Sequence, residues 1–204
     1  MLIIGYPGVG KSSCCNMDSK FIDLESSNFI HQPGDTEWAK SYVNVALDLH
    51  SQGFIVFISS HYVVRDLLID YCKKNSVPKG FLLIIFPSLS LEDVWKKRIT
   101  ERLERTTLEK DKRAYDRVLG HYIEDISSLI NMPIGHLCPL NKDSLIKGAK
   151  TDHKLTGDES IEELLSTFDL AKYIKYILIS NKLNNESVTN VYLDTVLHDW
   201  RDKD

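Results

Sequence analysis

The chain lacks several things that would decide its class at once. No run of about 18 apolar residues occurs, so no segment reads as a membrane-spanning helix. The opening run Met1-Leu2-Ile3-Ile4 stops at Gly5, too short for the apolar core of a signal peptide. There are only four cysteines, Cys14, Cys15, Cys72 and Cys138, with no Cys-x-x-Cys pair among them. That excludes a zinc cage, and adjacent Cys14-Cys15 suit a disulfide poorly. The expectation is four reduced thiols in a cytoplasmic protein. With ten glycines and six prolines in 204 residues, collagen-like and low-complexity readings drop out. Charge of one sign is also missing: 25 Lys and Arg stand against 29 Asp and Glu, a net charge of −4. The chain therefore has no basic footprint of a dedicated nucleic-acid binder.

What is present is an ordinary apolar fraction of 43%, enough for one domain-sized core. The charge is unevenly placed. Residues 151–204 hold six basic and eleven acidic side chains, whereas 1–150 hold nineteen and eighteen. The polar stretch Asn141–Gly157 suggests a boundary, with a domain over 1–150 and an acidic helical appendage over 151–204.

Within 1–150 short apolar runs alternate with helical patterns. Leu2-Ile3-Ile4, Phe21–Leu24, Phe54–Ile58, Phe81–Phe86 and a weaker Ile134–Leu140 read as strands. Between them, Trp38, Tyr42, Val45 and Leu49 recur at helical spacing after Asp35, a good N-cap. Val64, Leu67, Leu68 and Tyr71 form a second such stripe. Ser90 and Asp93 suggest a capping box opening a third, and Tyr115 to Leu129 mark a fourth. Continuous apolar strands separated by amphipathic helices predict an α/β fold, a parallel sheet with helices on both faces.

The segment Gly5-Tyr6-Pro7-Gly8-Val9-Gly10-Lys11-Ser12 is a GxxxxGKS loop directly after the first strand. Glycines let such a backbone curl so that successive N–H groups face one anion, and the following helix adds its positive end. The segment resembles the Walker A motif of P-loop nucleotide-binding proteins. That resemblance implies a three-layer P-loop fold, ATP and Mg²⁺ as ligands, and nucleotide contacts from Gly5, Gly8, Val9, Gly10, Lys11, Ser12 and Ser13. Lys11 would reach the β- and γ-phosphates and the Ser12 hydroxyl would bind Mg²⁺.

The remaining motifs separate branches of that class. Asn141-Lys142-Asp143-Ser144 fails the base-reading pattern of GTPases, and neither Phe54–Ile58 nor Phe81–Phe86 ends in the acid of a motor ATPase. The acids follow the second strand instead, in Asp23-Leu24-Glu25-Ser26, where alternation turns Asp23 and Glu25 the same way. This is similar to small-molecule and nucleotide kinases, which implies Asp23 at the metal and Glu25 at the acceptor. Arg98, Arg102 and Arg105 share one helix face, and Lys110, Lys112, Arg113 and Arg117 follow. The stretch looks like the helix–lid–helix element of nucleoside monophosphate kinases. By that likeness Arg98 lies near the nucleotide, Arg102 and Arg113 clamp phosphates, and Arg113 joins Arg65 in holding the acceptor.

The sequence thus points to a kinase acting on a nucleotide or nucleoside-type acceptor. A hydroxyl acceptor, in a small metabolite or a nucleic-acid 5′ end, is the first alternative. A replication-accessory binding protein with slow ATPase activity is the second. The latter leans on Tyr192-x-x-x-Val196-x-x-x-Trp200, which resembles the end of DnaD-type primosomal modules, with Val where that pattern has Ile. The segment is acidic, and its stripe also fits a packed helix face, so nucleic acid is a minor expectation beside a small-molecule partner.

Overall fold

The computed structural model describes residues 1–29, 36–77, 79–150, 155–156 and 158–181. Five strands form one wholly parallel sheet: β1 (Leu2–Gly5), β2 (Phe21–Asp23), β3 (Ile55–Ile58), β4 (Leu82–Pro87) and β5 (His136–Leu140). Their spatial order is β2-β3-β1-β4-β5. Every residue of β1, β3 and β4 is buried, as expected of strands covered on both faces.

Among the described residues the α-helices are α1 (Lys11–Met17), α2 (Trp38–Ser51), α3 (Tyr62–Asn75), α4 (Glu92–Glu104), α5 (Glu109–Ile130), α6 (Lys142–Lys147), α7 (Ile161–Thr167) and α8 (Leu170–Asn181). The chain runs from β1 outward past β3 to reach β2, then returns through β3 and crosses β1 to β4. Right-handed crossovers therefore send α1 to one face and α2, α3 and the α4–α5 pair to the other. In agreement, α2 packs on α3, α4 on α5, and α1 on α8. Among the described residues, no helix is long and apolar enough to cross a membrane.

The α/β expectation and all five strands hold, with differences at the ends. Strand β2 stops at Asp23. On α2 the buried face is Trp38, Ala39, Tyr42, Val43 and Ala46, while Val45 is exposed. Small Ala39 and Ala46 let the helix approach the sheet closely, which rotates the stripe away from the one its larger side chains suggest. The expected capping box of α4 does not form. A 3₁₀ turn, Leu89–Leu91, precedes that helix, and the Ser90 hydroxyl pairs with Ser88 Oγ at 2.9 Å. Asp35 lies outside the described residues.

Beyond residue 150, Leu164, Leu165, Leu170, Tyr173, Ile174 and Ile177 join the same apolar core as the sheet. The helices after the suggested boundary, as far as Asn181, therefore complete the layer over α1. The Tyr192–Trp200 stripe lies outside the described residues.

Candidate active site

Strand β1 is central, and its helix α1 leaves to the face opposite those following both neighbours, β3 and β4. In open α/β sheets such a reversal opens a crevice at the carboxyl ends of the strands. The glycine-rich loop sits there. Gly8 and Gly10 take positive φ, 87° and 104°, which residues with a side chain rarely adopt. Helix α4 supports the loop from above. Trp95, fully buried, donates its indole N–H to the Pro7 carbonyl at 2.8 Å, and Arg98 Nε donates to the Gly8 carbonyl at 3.1 Å. The Arg98 guanidinium lies 5.8 Å from the centre of the Trp95 ring, within cation–π range.

Lys11 folds back along the loop and donates to the Gly5 carbonyl at 3.0 Å. A Cβ on Gly5 would stand 2.9 Å from Lys11 Cδ, so glycine is what leaves room for the lysine stem. Burial pushes the Lys11 ammonium below its ordinary range, while Asp23 and Glu25 pull it back up. The next residue, Ser12, donates its hydroxyl to Asp23 Oδ2 at 3.1 Å. The loop and the end of β2 are thereby joined through the two side chains expected to act together.

These groups line a cavity of about 630 Å³. Its floor is Pro7, Gly8, Gly10, Lys11, Ser12 and Ser13, one wall is Asp23 and Glu25, and the other comes from the α4–α5 connection. Arg98, Arg102 and Arg105 all reach it, with Lys110 and Asp111 from the first turn of α5. Arg102 is ion-paired with the buried Asp111. Lys110 Nζ lies 2.8 Å from Glu25 Oε1, a bond across the cavity that raises the lysine's pKa.

Gly5 and Val9, both expected at the nucleotide, are buried under the loop and do not line the cavity. Two expected acceptor residues also turn away from it. Arg65 donates to Ser128 Oγ at 2.7 Å, because α3 faces α5 at that level. Arg113 is exposed and pairs with Glu109, one turn back on α5. Arg117 points inward instead. Its Nε bonds Asp125 at 2.5 Å, its Nη2 reaches the Ser60 carbonyl at 3.4 Å, and its guanidinium lies 5.7 Å from the Tyr6 ring centre.

The sequence placed Arg117 among the charges after the lid, but helical periodicity alone does not say which arginine of that helix faces the sheet. Trp95, which supports the loop, and Asp111, which holds Arg102, belong to no motif in the sequence that would single them out. His61, at the start of α3, is pushed down in pKa by burial and by Arg117 and Arg65. Its ring packs against Trp38 and Tyr62.

No family model and no curated protein matches this sequence. The donor set can still be tested against the ligands its motif implies. Among the described residues, no group of three or more His, Cys, Asp and Glu is placed to hold a metal. A hydroxyl and a carboxylate 3.1 Å apart fit an ion that prefers oxygen and keeps most of its waters, as Mg²⁺ does. Among the described residues, the Lys11 ammonium, part-buried at the cavity floor, has a backbone carbonyl as its one hydrogen-bond partner, which leaves donors for an anion.

Proposed function

We propose that the protein is an ATP- and Mg²⁺-dependent P-loop kinase that phosphorylates a nucleotide or nucleoside-type acceptor. One observation carries the proposal. Lys11, the Ser12–Asp23 pair and the α4 cations meet around one cavity at the carboxyl end of the central strand. The loop amides and Lys11 hold the triphosphate, Arg98 lies by the nucleotide, and Arg102 faces the transferred group. Ser12 and Asp23 hold Mg²⁺, which neutralises charge on the phosphate oxygens when bound. An acceptor oxygen attacks the γ-phosphorus, the bond to the β–γ bridging oxygen breaks, and ADP leaves. Catalysis is then mostly positioning and electrostatics.

The acceptor's chemistry is narrowed by two displaced arginines. Arg65 and Arg113 bond elsewhere, while Glu25 lines the cavity. This favours an acceptor hydroxyl, such as that of a nucleoside, whose proton passes to Glu25. A coupled ADP-release screen across nucleosides, nucleoside monophosphates and DNA 5′ ends tests the proposal. Turnover with one of them, abolished in Lys11→Ala, is the expected result. Turnover in Lys11→Ala equal to wild type refutes it.

A further inference from the structure

The parallel ladder between β2 and β3 carries an insertion. Its register pairs Phe21 with Ile55, Ile22 with Val56 and Asp23 with Phe57. The next rung starts normally, with Leu24 N–H donating to the Phe57 carbonyl at 3.0 Å. In a parallel ladder the returning bond runs from Ser59 N–H to the Leu24 carbonyl. Here it is replaced by a side chain. Ser59 N–H donates to Tyr42 Oη at 2.7 Å, and the Tyr42 hydroxyl donates onward to the Leu24 carbonyl at 2.8 Å.

One direct bond of about 2.9 Å thus becomes two bonds in series, and a hydroxyl stands between the Leu24 carbonyl and the Ser59 N–H, immediately past the last regular pair at Asp23. The wedge comes from α2, where the phenol is fully buried, with Phe29 and Trp38 edge-on to its ring at 5.2 and 5.8 Å. The residues flanking the wedged carbonyl are Asp23 and Glu25, the two acids of the cavity wall.

We infer that Tyr42 is a positioning residue: its hydroxyl sets the course of the β2 end that brings Asp23 to Ser12 Oγ. The inference rests on the kinase proposal for what the pair binds. Without the hydroxyl, Leu24 and Ser59 either close into a direct rung or take up water. Both shift the Asp23 segment against the loop, while Lys11 and the loop backbone stay in place.

The test uses the full chain. Calorimetric titration of ATP at a series of Mg²⁺ concentrations gives the metal dependence, and amide exchange at Ser59 reports the wedge itself. Tyr42→Phe keeps the ring and removes only Oη. It is expected to raise the Mg²⁺ concentration for half-maximal binding about tenfold, as loss of an outer-shell partner does, with metal-free ATP binding unchanged within about twofold. Ala46→Gly, on the same buried face of α2, weakens the helix without touching the hydroxyl and is expected to keep the wild-type Mg²⁺ dependence. Slow exchange at Ser59 in the wild type supports the wedge; in Tyr42→Phe a direct rung keeps it slow and a water speeds it. Wild-type metal dependence in Tyr42→Phe, or Ser59 exchanging in the wild type as fast as an open amide, overturns the inference and leaves the kinase proposal standing. A wild-type chain that binds no ATP at any Mg²⁺ concentration overturns both.

Discussion

Replacing glycine by alanine at three positions separates the contributions that hold the loop against α4. At Gly8, φ is +87° and a Cβ would stand 2.8 Å from Ile99 Cδ1 and 3.3 Å from Trp95 Nε1. At Gly53, φ is +94° and nothing lies within 4 Å of the added atom. At Gly120, inside α5, φ is ordinary and the space is again open. The left-handed conformation costs a residue with a side chain about 1–2 kcal/mol. Moving Ile99 off its rotamer adds about 1 kcal/mol. Alanine recovers about 0.5–1 kcal/mol by restricting the unfolded chain. The net expectation is a loss of about 2 kcal/mol at Gly8 and about 1 kcal/mol at Gly53, with a gain of about 0.5–1 kcal/mol at Gly120. For a chain of this size each kcal/mol moves Tm by about 2–4 °C, so Gly8→Ala falls by about 4–8 °C. Differential scanning calorimetry measures all three. Only Gly8→Ala is also expected to weaken ATP binding, because the displaced atoms include the carbonyl that Arg98 holds. A Gly8→Ala variant no less stable than Gly53→Ala, with unaltered ATP affinity, would refute the claim that close packing of α4 shapes the loop.

Two further expectations concern charge. Glu25→Gln removes the partner of Lys110 and the proposed proton acceptor together. With a hydroxyl acceptor kcat falls by about 10²–10⁴-fold, whereas a loss below about threefold would assign transfer to a phosphate acceptor that needs no base. His50 is pushed down to about 4 by burial and by the neighbouring Met1 ammonium, itself lowered to about 5 by burial. Both groups bind protons more readily in the unfolded chain, so the stability they contribute is complete above about pH 8 and is lost as pH falls toward 4. Thermal unfolding from pH 8 to 4 should show that slope, and His50→Gln should flatten it below about pH 6.5; a variant curve parallel to wild type would contradict the assignment.

The strands were legible because each is a continuous apolar run, and a sheet buried on both faces demands that. The loop was legible because its chemistry lies in consecutive residues. The partners of the cations were not. Arg113 and Arg117 are one turn apart on α5, yet one pairs with Glu109 at the surface and the other reaches Ser60 on the far side of the loop. Part of the difference is a kink at His121, where φ is −138°; Asp125, beyond that break, is the partner of Arg117. Periodicity describes a straight helix and misses such a break. The Tyr42 wedge was hidden for another reason. Its two partners, Leu24 and Ser59, offer only backbone groups, and backbone groups carry no sequence signal.

The charges around the cavity bear on what can bind there. Its lining holds five cations, Lys11, Arg98, Arg102, Arg105 and Lys110, and four acids, Asp23, Glu25, Glu101 and Asp111. A site selecting a bare polyanion by charge would carry a large excess of cations, whereas this one is nearly balanced. Two of its cations are also engaged, Arg102 with Asp111 and Lys110 with Glu25. The acids nearest the loop, Asp23 and Glu25, would repel a triphosphate arriving alone. They attract one that arrives with a divalent cation, because the metal reverses the sign of the local field. On the proposed reading, the near-neutral balance favours the metal–nucleotide complex over free nucleotide, and Asp23 is the group that distinguishes the two. The approach of a phosphate to Arg102 or Lys110 must likewise compete with Asp111 or Glu25. Release of Glu25 from Lys110 then coincides with filling of the triphosphate site, so that on the proposed reading the carboxylate is freed for the acceptor only when the donor is in place.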